Sequence, residues 1–397
     1  METYNYLIVG GGMTAAAAIQ SIREVDRNGS IGLICDESQP PYNRPLLSKG
    51  LWKGKPRESI WRDIDGLNVT LHLGRKVRHL DAADRHVIDD QGTVYLFEKL
   101  LLATGATPRR LPFGGEQIIY FRTLGDYDRL HALTEQHERF AVIGGGFIGW
   151  EIAAALGMIG KKVVMVFPGP GIGHHIFPSG LSMFLNEFYR QRGVEVLPGG
   201  SVEGWELRAD RPVLKIRGNH QADEGEITAD AVVAGIGVQP NVELAQMAGL
   251  DVDNGIRVDR GLRTSHPDIY AAGDVANFHN PALDQQLRVE HEDNANTMGR
   301  FAGLAMAGRT VSYDHLPFFY SDLFDLGFEA VGEVDARLQT VEDWIEPFRK
   351  GVVYYMRDDH VRGVLLWNVW DQVDAARGLI SESGTIRPRD LKGRLPA

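Results

Sequence analysis

Two glycine-rich segments have the residue types and spacing that hold a dinucleotide. Residues 10–15 read Gly-Gly-Gly-Met-Thr-Ala, and residues 144–149 read Gly-Gly-Gly-Phe-Ile-Gly. Each follows an apolar run, so each predicts a buried strand, a tight turn and a helix. The first glycine makes the turn, the second lets backbone approach a pyrophosphate, and the third small residue lets helix pack on strand. Helix N–H groups then bind the phosphates. Two such turns predict two bound dinucleotides.

The strands and helices that must position these turns can be read from the apolar pattern. Two βαβ units are predicted, with strands at 4–9, 31–35, 140–143 and 162–167 and helices at about 14–25 and 148–159. Apolar runs at 100–102, 231–237 and 269–272 indicate further buried strands, and residues 38–62 indicate a long loop. From about residue 315 the pattern becomes aromatic and alternating, which predicts antiparallel strands of a separate α+β domain.

Composition limits the class of protein. The chain has 397 residues and a net charge of −11, so two or three domains are expected, and nucleic acid or an anionic membrane is disfavoured as the main partner. No apolar run approaches a membrane span, and the N-terminus does not read as a signal peptide, so a cytoplasmic location is expected. The single cysteine, Cys35, excludes an internal disulfide and a two-cysteine redox pair. No metal site is predicted.

The order of motifs resembles that of the two-dinucleotide flavoprotein reductases, which include the ferredoxin and rubredoxin reductases. A strand ending in Ala103-Thr104-Gly105 lies between the two turns, and Ala272-Gly273-Asp274 follows them. Residues 41–49, Pro-Tyr-Asn-Arg-Pro-Leu-Leu-Ser-Lys, resemble a stretch of the ferredoxin reductases and of apoptosis-inducing factor. Residues 288–291, 350–358 and 366–368 are most similar to apoptosis-inducing factor. We expect neither the targeting segment nor the long C-terminal-domain insertion of the animal factor in this protein, which favours a bacterial-type reductase.

The resemblance implies an α/β fold with two Rossmann-like dinucleotide-binding domains, the NAD domain being inserted in the FAD domain, plus a C-terminal α+β domain. The implied FAD-binding domain covers residues 1–112 and 242–314. The NAD(P)H-binding domain covers 113–241, and the C-terminal domain covers 315–397.

The FAD site that the resemblance implies is built around the first turn. Asp36 and Glu37 both follow the second strand and could bind the adenosine ribose; the family pattern slightly favours Glu37, and the alternative is a solvated strand-end acid. Asp274 is expected to accept from the ribityl hydroxyls, and it could also cap a helix. The full set of implied FAD contacts is Gly10, Gly12, Met13, Thr14, Ala15, Asp36, Glu37, Arg44, Lys49, Val77, Ala103, Thr104, Gly105, Arg122, Asp274, Glu290, His291 and Glu292.

Three residues are implied in hydride transfer. Lys49 would pair with Glu151 beside flavin N5, where a fixed cation stabilises negative charge as hydride arrives. The alternative for Glu151, expected in the first turn of its helix, is compensation of the helix dipole. Phe147 would be an aromatic lid that nicotinamide displaces; the alternative is simple packing.

The nicotinamide site is implied at the second turn, Gly144, Gly145, Gly146, Phe147, Ile148 and Gly149, and at Gly237. An acid after the second strand of this unit would select NAD, but Gly169 stands there. His174 and His175 stand where a cation could meet a 2′-phosphate, or are ordinary surface histidines. Weak discrimination between NADH and NADPH is expected.

Later residues are implied to cover the flavin ring. Glu290 and His291 precede a helix predicted at about 293–306, whose N-terminus would favour an anionic reduced flavin. Tyr320, Glu329, Trp367 and Asn368 match positions that contact flavin or nicotinamide in the family, although Tyr320 stands where a tryptophan is usual. A role in the aromatic core fits Phe319 and Trp370 better than Trp367. Cys35 is interpreted as a small core residue.

The predicted function is an FAD-dependent NAD(P)H oxidoreductase. Without a dithiol, electrons leave the flavin directly, which suits a ferredoxin- or rubredoxin-type iron–sulfur carrier, a quinone or oxygen. The alternative is a redox-sensing protein like apoptosis-inducing factor, in which a long-lived complex of reduced flavin and nicotinamide controls a redox-dependent homodimer. A peroxidase or oxidase with a cysteine centre is disfavoured by the position of Cys35.

Overall fold

The computed structural model describes residues 1–218 and 224–396. The chain forms two compact units. Unit 1 consists of Met1–Arg44, Pro56–Thr107 and Gln239–Phe318, and unit 2 consists of Pro45–Lys55, Pro108–Val238 and Phe319–Ala397.

The strands in chain order are β1 Glu2–Val9, β2 Ile31–Cys35, β3 Val69–Leu73, β4 Val77–Asp81, β5 His86–Asp89, β6 Val94–Leu102, β7 Ala106–Pro108, β8 Ile118–Tyr120, β9 Arg139–Ile143, β10 Lys162–Phe167, β11 Val194–Pro198, β12 Ser201–Arg208, β13 Arg211–Arg217, β14 Glu224–Thr228, β15 Ala231–Ala234, β16 Val238–Pro240, β17 Ile256–Arg257, β18 Ile269–Ala271, β19 Ala276–Asn280, β20 Gln285–Leu287, β21 Phe318–Leu323, β22 Leu326–Gly332, β23 Gln339–Glu346, β24 Lys350–Arg357 and β25 His360–Trp367. The α-helices are α1 Met13–Val25, α2 Pro45–Ser48, α3 Leu124–Gln136, α4 Phe147–Met158, α5 Ser179–Arg190, α6 Glu243–Met247, α7 Glu292–Met306 and α8 Val373–Ile380.

Unit 1 is built on one sheet whose order is β3-β2-β1-β6-β5-β4, with β18 also pairing with β6. β1 pairs in parallel with both β2 and β6, so its carboxyl end lies between theirs. Helices α1 and α7 approach closely because α7 presents Gly299 and Gly303. A Cβ at either position would lie 2.3 Å from a carbonyl oxygen of α1, that of Thr14 or of Ala18. Small residues at this crossing therefore fix how α1 is held at the first glycine turn.

Unit 2 contains a parallel sheet of order β11-β10-β9-β15-β8 and two antiparallel sheets, β12-β13-β14 and β21-β22-β25-β24-β23. The central strands β9, β10 and β15 of the parallel sheet are almost wholly buried apolar runs, as expected for strands covered on both faces. Helix α4 follows β9 through the second glycine turn, and its residues Gly149–Leu156 are buried. The antiparallel strands predicted after residue 315 are present, but the expected alternation is wrong for β24 and β25, which are buried along almost their whole length.

The predicted fold class is confirmed, and both βαβ units form at the predicted residues. Residues 38–62, predicted as a loop, contain α2 and two 3-10 turns at Leu51–Lys53 and Arg57–Ile60. Unit 2 holds parts of all three predicted domains, so the division into three domains stays a prediction. Within the described residues, no helix is long and apolar enough to cross a bilayer.

Candidate active site

The first glycine turn, in unit 1, has a different physical requirement at each position. Gly10 has φ of +113°, and a Cβ there would lie 2.1 Å from the carbonyl oxygen of Ala103. Gly12 caps α1 with an ordinary φ of −89°, and a Cβ there would meet nothing within 4 Å. Backbone conformation and the Ala103 carbonyl thus require a glycine at position 10, whereas the space in front of Gly12 at the helix N-terminus is open. That open space fits the pyrophosphate of a dinucleotide.

Cys35 lies beneath this turn and acts as a core residue, as the sequence indicated. A Cβ on Gly11 would lie 2.3 Å from its Sγ, so the thiol fills the space behind the turn. Burial raises the pKa of the Cys35 thiol to about 11, which keeps it protonated near neutral pH.

The two candidate ribose acids differ in how they are held. Glu37 accepts hydrogen bonds from the Tyr42 hydroxyl at 2.6 Å and from Arg44 at 2.5 Å. The side chain of Asp36 is exposed. Both residues follow β2, and Glu37 is the one whose carboxylate is held by side-chain hydrogen bonds in the part of the chain that the structure describes.

The end of β6 is connected to a residue that the sequence did not single out. Thr104 donates its hydroxyl to the carbonyl of Asn241 at 2.8 Å, and the Asn241 amide donates back to the carbonyl of Thr104 at 2.8 Å. The N–H of Asn241 also donates to the carbonyl of Gly105, which has φ of +66°. This arrangement fixes the Ala103–Gly105 turn. Val77, another predicted contact, is a buried residue at the start of β4.

The remaining predicted residues of unit 1 lie around α7. Helix α7 begins one residue earlier than predicted, with His291 as its N-cap and Glu292 as its first residue. Glu290 pairs with Arg288 at 2.6 Å, and Arg288 also donates to the carbonyl of Asp274 at 3.1 Å. Asp274 lies in the 3-10 turn Gly273–Val275 that directly follows β18. Arg288 therefore links the predicted ribityl contact, Asp274, to Glu290 just before α7.

The second glycine turn, in unit 2, repeats this pattern with one difference. Gly144 has φ of +119°, and a Cβ on it would lie 2.2 Å from the carbonyl oxygen of Gly235. Gly146, the N-cap of α4, has open space around its missing Cβ. At the third position a Cβ on Gly149 would lie 2.0 Å from the carbonyl of Gly144, whereas the equivalent residue of the first turn is Ala15. Gly237, with φ of +92°, lies between β15 and β16.

Lys49 and Glu151 form a buried ion pair within unit 2. Lys49 Nζ lies 2.7 Å from Glu151 Oε1, and the two side chains are 13% and 4% exposed. The Ser48 hydroxyl donates to Glu151 at 2.6 Å and the Ser321 hydroxyl donates at 2.5 Å, so the carboxylate is fully supplied with donors. Lys49 Nζ also lies 5.2 Å from the ring centroid of Tyr320. The ammonium is therefore fixed in direction by a carboxylate and an aromatic face.

The expected position of Glu151 is wrong. It is the fifth residue of α4, in the second turn of the helix, and the first turn holds no acidic residue. The ion pair and the two hydroxyl donors, and not the helix dipole, account for this buried carboxylate. Ser48 and Ser321 were missed by sequence reasoning, although each is adjacent to a residue that it had selected.

Phe147 and Arg122 lie where helices begin. Phe147 is the first residue of α4 and is half-buried, with its ring 4.7 Å from Trp150 and 5.4 Å from Phe319. Arg122 precedes the N-cap Thr123 of α3, and its backbone N–H donates to Asp126 at 3.1 Å. Their predicted contacts with nicotinamide and FAD stay predictions.

The expectation that Trp370 belongs to the core better than Trp367 is wrong. Trp367 is 0% exposed, stacks on Phe328 at 5.7 Å and donates its indole N–H to the carbonyl of Phe348. A side chain without accessible surface is a core residue and offers no face to a ligand. Trp370, which we expected in the core, is 49% exposed.

The two other predicted residues of the C-terminal sheet have contrasting surroundings. Asn368 has φ of +50° and uses its amide within the fold, since Oδ1 accepts from Gly327 and Nδ2 donates to the carbonyl of Arg349, both at 2.8 Å. Glu329 Oε2 is buried without a hydrogen-bond partner in the part of the chain that the structure describes. Burial, assisted by the charge of Asp371, raises the pKa of the Glu329 carboxyl above its ordinary value. This carboxyl is the stronger candidate for a polar ligand contact.

Each unit thus holds a glycine turn with open space at a helix N-terminus, and unit 2 adds a fixed, buried ammonium. These features define the class of oxidoreductases that bind two dinucleotides.

Comparison with known proteins agrees with this class. The family model described as pyridine nucleotide-disulphide oxidoreductase matches residues 4–299, and the model described as apoptosis-inducing factor, mitochondrion-associated, C-term matches residues 302–347 and 344–382. The chain is 33% identical to the ferredoxin–NAD(+) reductase component of an anthranilate 1,2-dioxygenase system from Burkholderia cepacia, over 98% of this chain and 97% of the relative.

Two further comparisons extend over nearly the whole chain. The ferredoxin reductase subunit of a 5,5'-dehydrodivanillate O-demethylase from Sphingobium sp. is 35% identical, over 98% of this chain and 96% of the relative. Among solved structures, a covalent putidaredoxin reductase–putidaredoxin complex matches with a TM-score of 0.89 and 28% identity, over 98% of this chain and 95% of that one. The chain belongs to the pyridine nucleotide-disulphide oxidoreductase family. It is an FAD-dependent NAD(P)H oxidoreductase.

Proposed function

We propose that this flavoprotein takes a hydride from NADH or NADPH and passes electrons one at a time to a small iron–sulfur carrier of the ferredoxin type. The observation that carries the proposal is the state of the chain's one cysteine. Cys35 is buried under the first glycine turn with a raised thiol pKa, and no second cysteine exists to form a dithiol relay. Bound FAD supplies the ability to accept a hydride and to release electrons singly.

The relatives support this choice of acceptor. Two are named as ferredoxin reductase components of oxygenase or demethylase systems, and the similar solved structure holds a reductase together with its putidaredoxin. A quinone and oxygen are the competing acceptors. The composition, with one cysteine, supports a cytoplasmic location as part of the proposal.

Specific residues take roles in this proposal. The Lys49 ammonium, held by Glu151, stabilises the negative charge that develops at flavin N5 during hydride transfer. Glu37, fixed by Tyr42 and Arg44, binds the adenosine ribose of FAD in preference to the exposed Asp36. Phe147, at the start of α4, is the ring that nicotinamide displaces.

A stopped-flow experiment tests the acceptor. The flavoprotein is reduced anaerobically with one equivalent of NADH or NADPH and mixed with a [2Fe–2S] ferredoxin, with ubiquinone or with aerated buffer. We expect reoxidation by the ferredoxin within the turnover time, and slower reoxidation by quinone and oxygen. Equal or faster reoxidation by quinone or oxygen would overturn the proposed acceptor.

The second candidate function is a redox sensor, favoured by the match of residues 302–382 to the C-terminal domain of apoptosis-inducing factor. A sensor would accumulate a long-wavelength charge-transfer band that decays slowly in air, and reduction would change its association state. Sedimentation velocity of the oxidised and NADH-reduced flavoprotein separates the two functions. A reductase stays in one association state and passes electrons to the ferredoxin, whereas a sensor dimerises and passes none.

A further inference from the structure

In the second βαβ unit, the position expected to contact the adenosine ribose holds neither an acidic residue nor an arginine. An acid at the end of the second strand selects the 2′-hydroxyl of NADH, and an arginine accommodates the 2′-phosphate of NADPH. Here β10 ends at Phe167 and Gly169 follows. Between Lys162 and Glu187, the only titratable side chains in the sequence are those of His174 and His175.

The imidazole of His174 occupies the space that a side chain at Gly169 would need. A Cβ built on Gly169 would lie 2.1 Å from both Nδ1 and Cε1 of His174. The glycine is therefore matched to the histidine, and the ring occupies the place where a side chain at residue 169 would begin. The missing side chain at Gly169 and the position of the His174 ring therefore depend on each other.

The loop that carries His174 is fixed to the nucleotide turn itself. The N–H of Gly173 donates to the carbonyl of Gly145, in the second glycine turn, at 2.9 Å. Ile172 is held on both sides, since its N–H donates to the Asn186 side chain at 3.0 Å and its carbonyl accepts from the Ser182 hydroxyl at 2.8 Å. Both of these α5 side chains are buried. The imidazole thus has a defined position relative to the turn that binds the pyrophosphate.

We propose that His174 contacts the 2′ position of the bound cofactor's adenosine ribose, and that its protonation favours the 2′-phosphate of NADPH while its neutral ring accepts NADH. This inference rests on the proposed use of NADH or NADPH and adds the residue and the proton that choose between them. Preference between the two cofactors then depends on pH.

The charges around His174 determine the direction of that dependence. The His175 ring lies 3.7 Å from it, and burial together with the charge of His175 lowers the pKa of His174 below its ordinary value. The other loop packed on the pair donates the N–H of Ala336 to the carbonyl of His175, and its charged residues Asp335 and Arg337 pair with each other at 2.5 Å.

A bound 2′-phosphate would raise this lowered pKa, because an opposite charge nearby favours the protonated ring. Proton uptake therefore accompanies NADPH binding. The gain in NADPH affinity is fully present below the pKa of the free histidine and is lost as pH rises through the pKa of the complex. NADH affinity lacks this dependence, since its 2′-hydroxyl carries no charge.

The test uses the intact flavoprotein and two fragments of the cofactors, adenosine 2′,5′-bisphosphate and ADP, titrated calorimetrically at pH 6, 7 and 8. We expect the affinity for the bisphosphate to fall about tenfold more between pH 6 and 8 in the wild type than in His174→Asn, and proton uptake to appear as a buffer-dependent heat. The phosphate of the probe titrates near pH 6 in both proteins, so their difference isolates the histidine. ADP should show no such difference.

Two further variants separate the histidine's role from general damage. Gly169→Ala should displace the imidazole and abolish the same pH-dependent part. His360→Asn, an exposed histidine of β25 in the same unit, should behave as the wild type. Identical pH profiles for wild type and His174→Asn would overturn the inference. Failure of both NADH and NADPH to reduce the flavin would overturn the proposed function, independently of the calorimetric result.

Discussion

Lys49 and Glu151, 102 positions apart in sequence, meet at 2.7 Å in a pocket of unit 2 where neither side chain is more than 13% exposed. The carboxylate also receives Ser48 and Ser321, and the latter hydroxyl in turn accepts the indole N–H of Trp150 at 2.8 Å. This network joins α2, α4 and β21, so it acts at once as a structural connection and as a fixed charge. Those two roles can be separated by mutation.

The first prediction concerns stability. Lys49→Ala should lower the free energy of unfolding by about 3 kcal/mol, because it leaves a buried carboxylate without its cation. Glu151→Ala should cost a similar amount, and the double variant should cost clearly less than the sum, as contacting residues do. Guanidinium denaturation of the four proteins measures the coupling. Additive losses would show that the pair contributes no mutual stabilisation.

The second prediction concerns catalysis. Lys49→Ala should slow reduction of the flavin by NADH about tenfold or more, about 1.4 kcal/mol in the barrier, since the interaction strengthens only as negative charge develops. The nicotinamide dissociation constant should stay nearly unchanged. Lys49→Arg keeps the charge and serves as the control for folding. Stopped-flow reduction at several NADH concentrations separates the rate from the affinity, and a loss confined to affinity would assign Lys49 to binding alone.

Much of the fold was predictable from the sequence because its signals are local. Strand β10 and both glycine turns follow from apolar runs and from the clustering of glycines, which are both visible within a few consecutive residues. The predicted start of α7 differs from the observed start by one residue, since Glu292 and Asp293 both suit the first turn of a helix.

The errors come from contacts that sequence does not display. Trp367 and Trp370 lie three positions apart and look alike in an aromatic segment, but β25 ends at Trp367 and Asn368, with φ of +50°, turns the chain between them, and only the first ring is buried. Similarly, the sequence around residues 48–49 does not indicate that Ser48 and Ser321 donate hydrogen bonds to Glu151. It also does not indicate that Glu151 lies in the second turn of α4. Tertiary packing decided each case.

The third prediction uses the contrast between Gly10 and Gly12. Gly12→Ala should leave the apoprotein folded, because a Cβ there meets nothing and φ is ordinary, but it should weaken FAD binding at least about tenfold by filling the space before the helix. Gly10→Ala should instead prevent folding, since φ is +113° and the Cβ would lie 2.1 Å from a carbonyl oxygen.

Circular dichroism of both apoproteins and fluorescence titration with FAD distinguish these effects. The matched variant Gly146→Ala should spare FAD and raise the KM for the nicotinamide cofactor, because it makes the same change in the second turn. Undiminished FAD affinity in Gly12→Ala would mean that the open space at α1 is not the pyrophosphate site.

The fourth prediction concerns Glu329, whose carboxyl has a raised pKa in the folded protein because it is buried and lies near Asp371. A group of this kind favours the folded state below its unfolded pKa, near 4.3, and that contribution is lost as pH rises through the folded pKa. Glu329→Gln removes the charge without changing the shape. The wild type should therefore lose thermal stability relative to this variant on going from pH 4 to 8, with the loss complete once the folded carboxyl ionises. Melting temperatures of the two proteins across this range measure the difference. Glu333→Gln is the control, because the Glu333 carboxylate is paired with Arg357 and Arg362.

A constant difference in melting temperature between wild type and Glu329→Gln across the range would show that the Glu329 carboxyl titrates alike in the folded and unfolded states. A ligand that donates to Glu329 Oε2 should reduce the difference at high pH, which connects the unpartnered oxygen to binding in the same experiment.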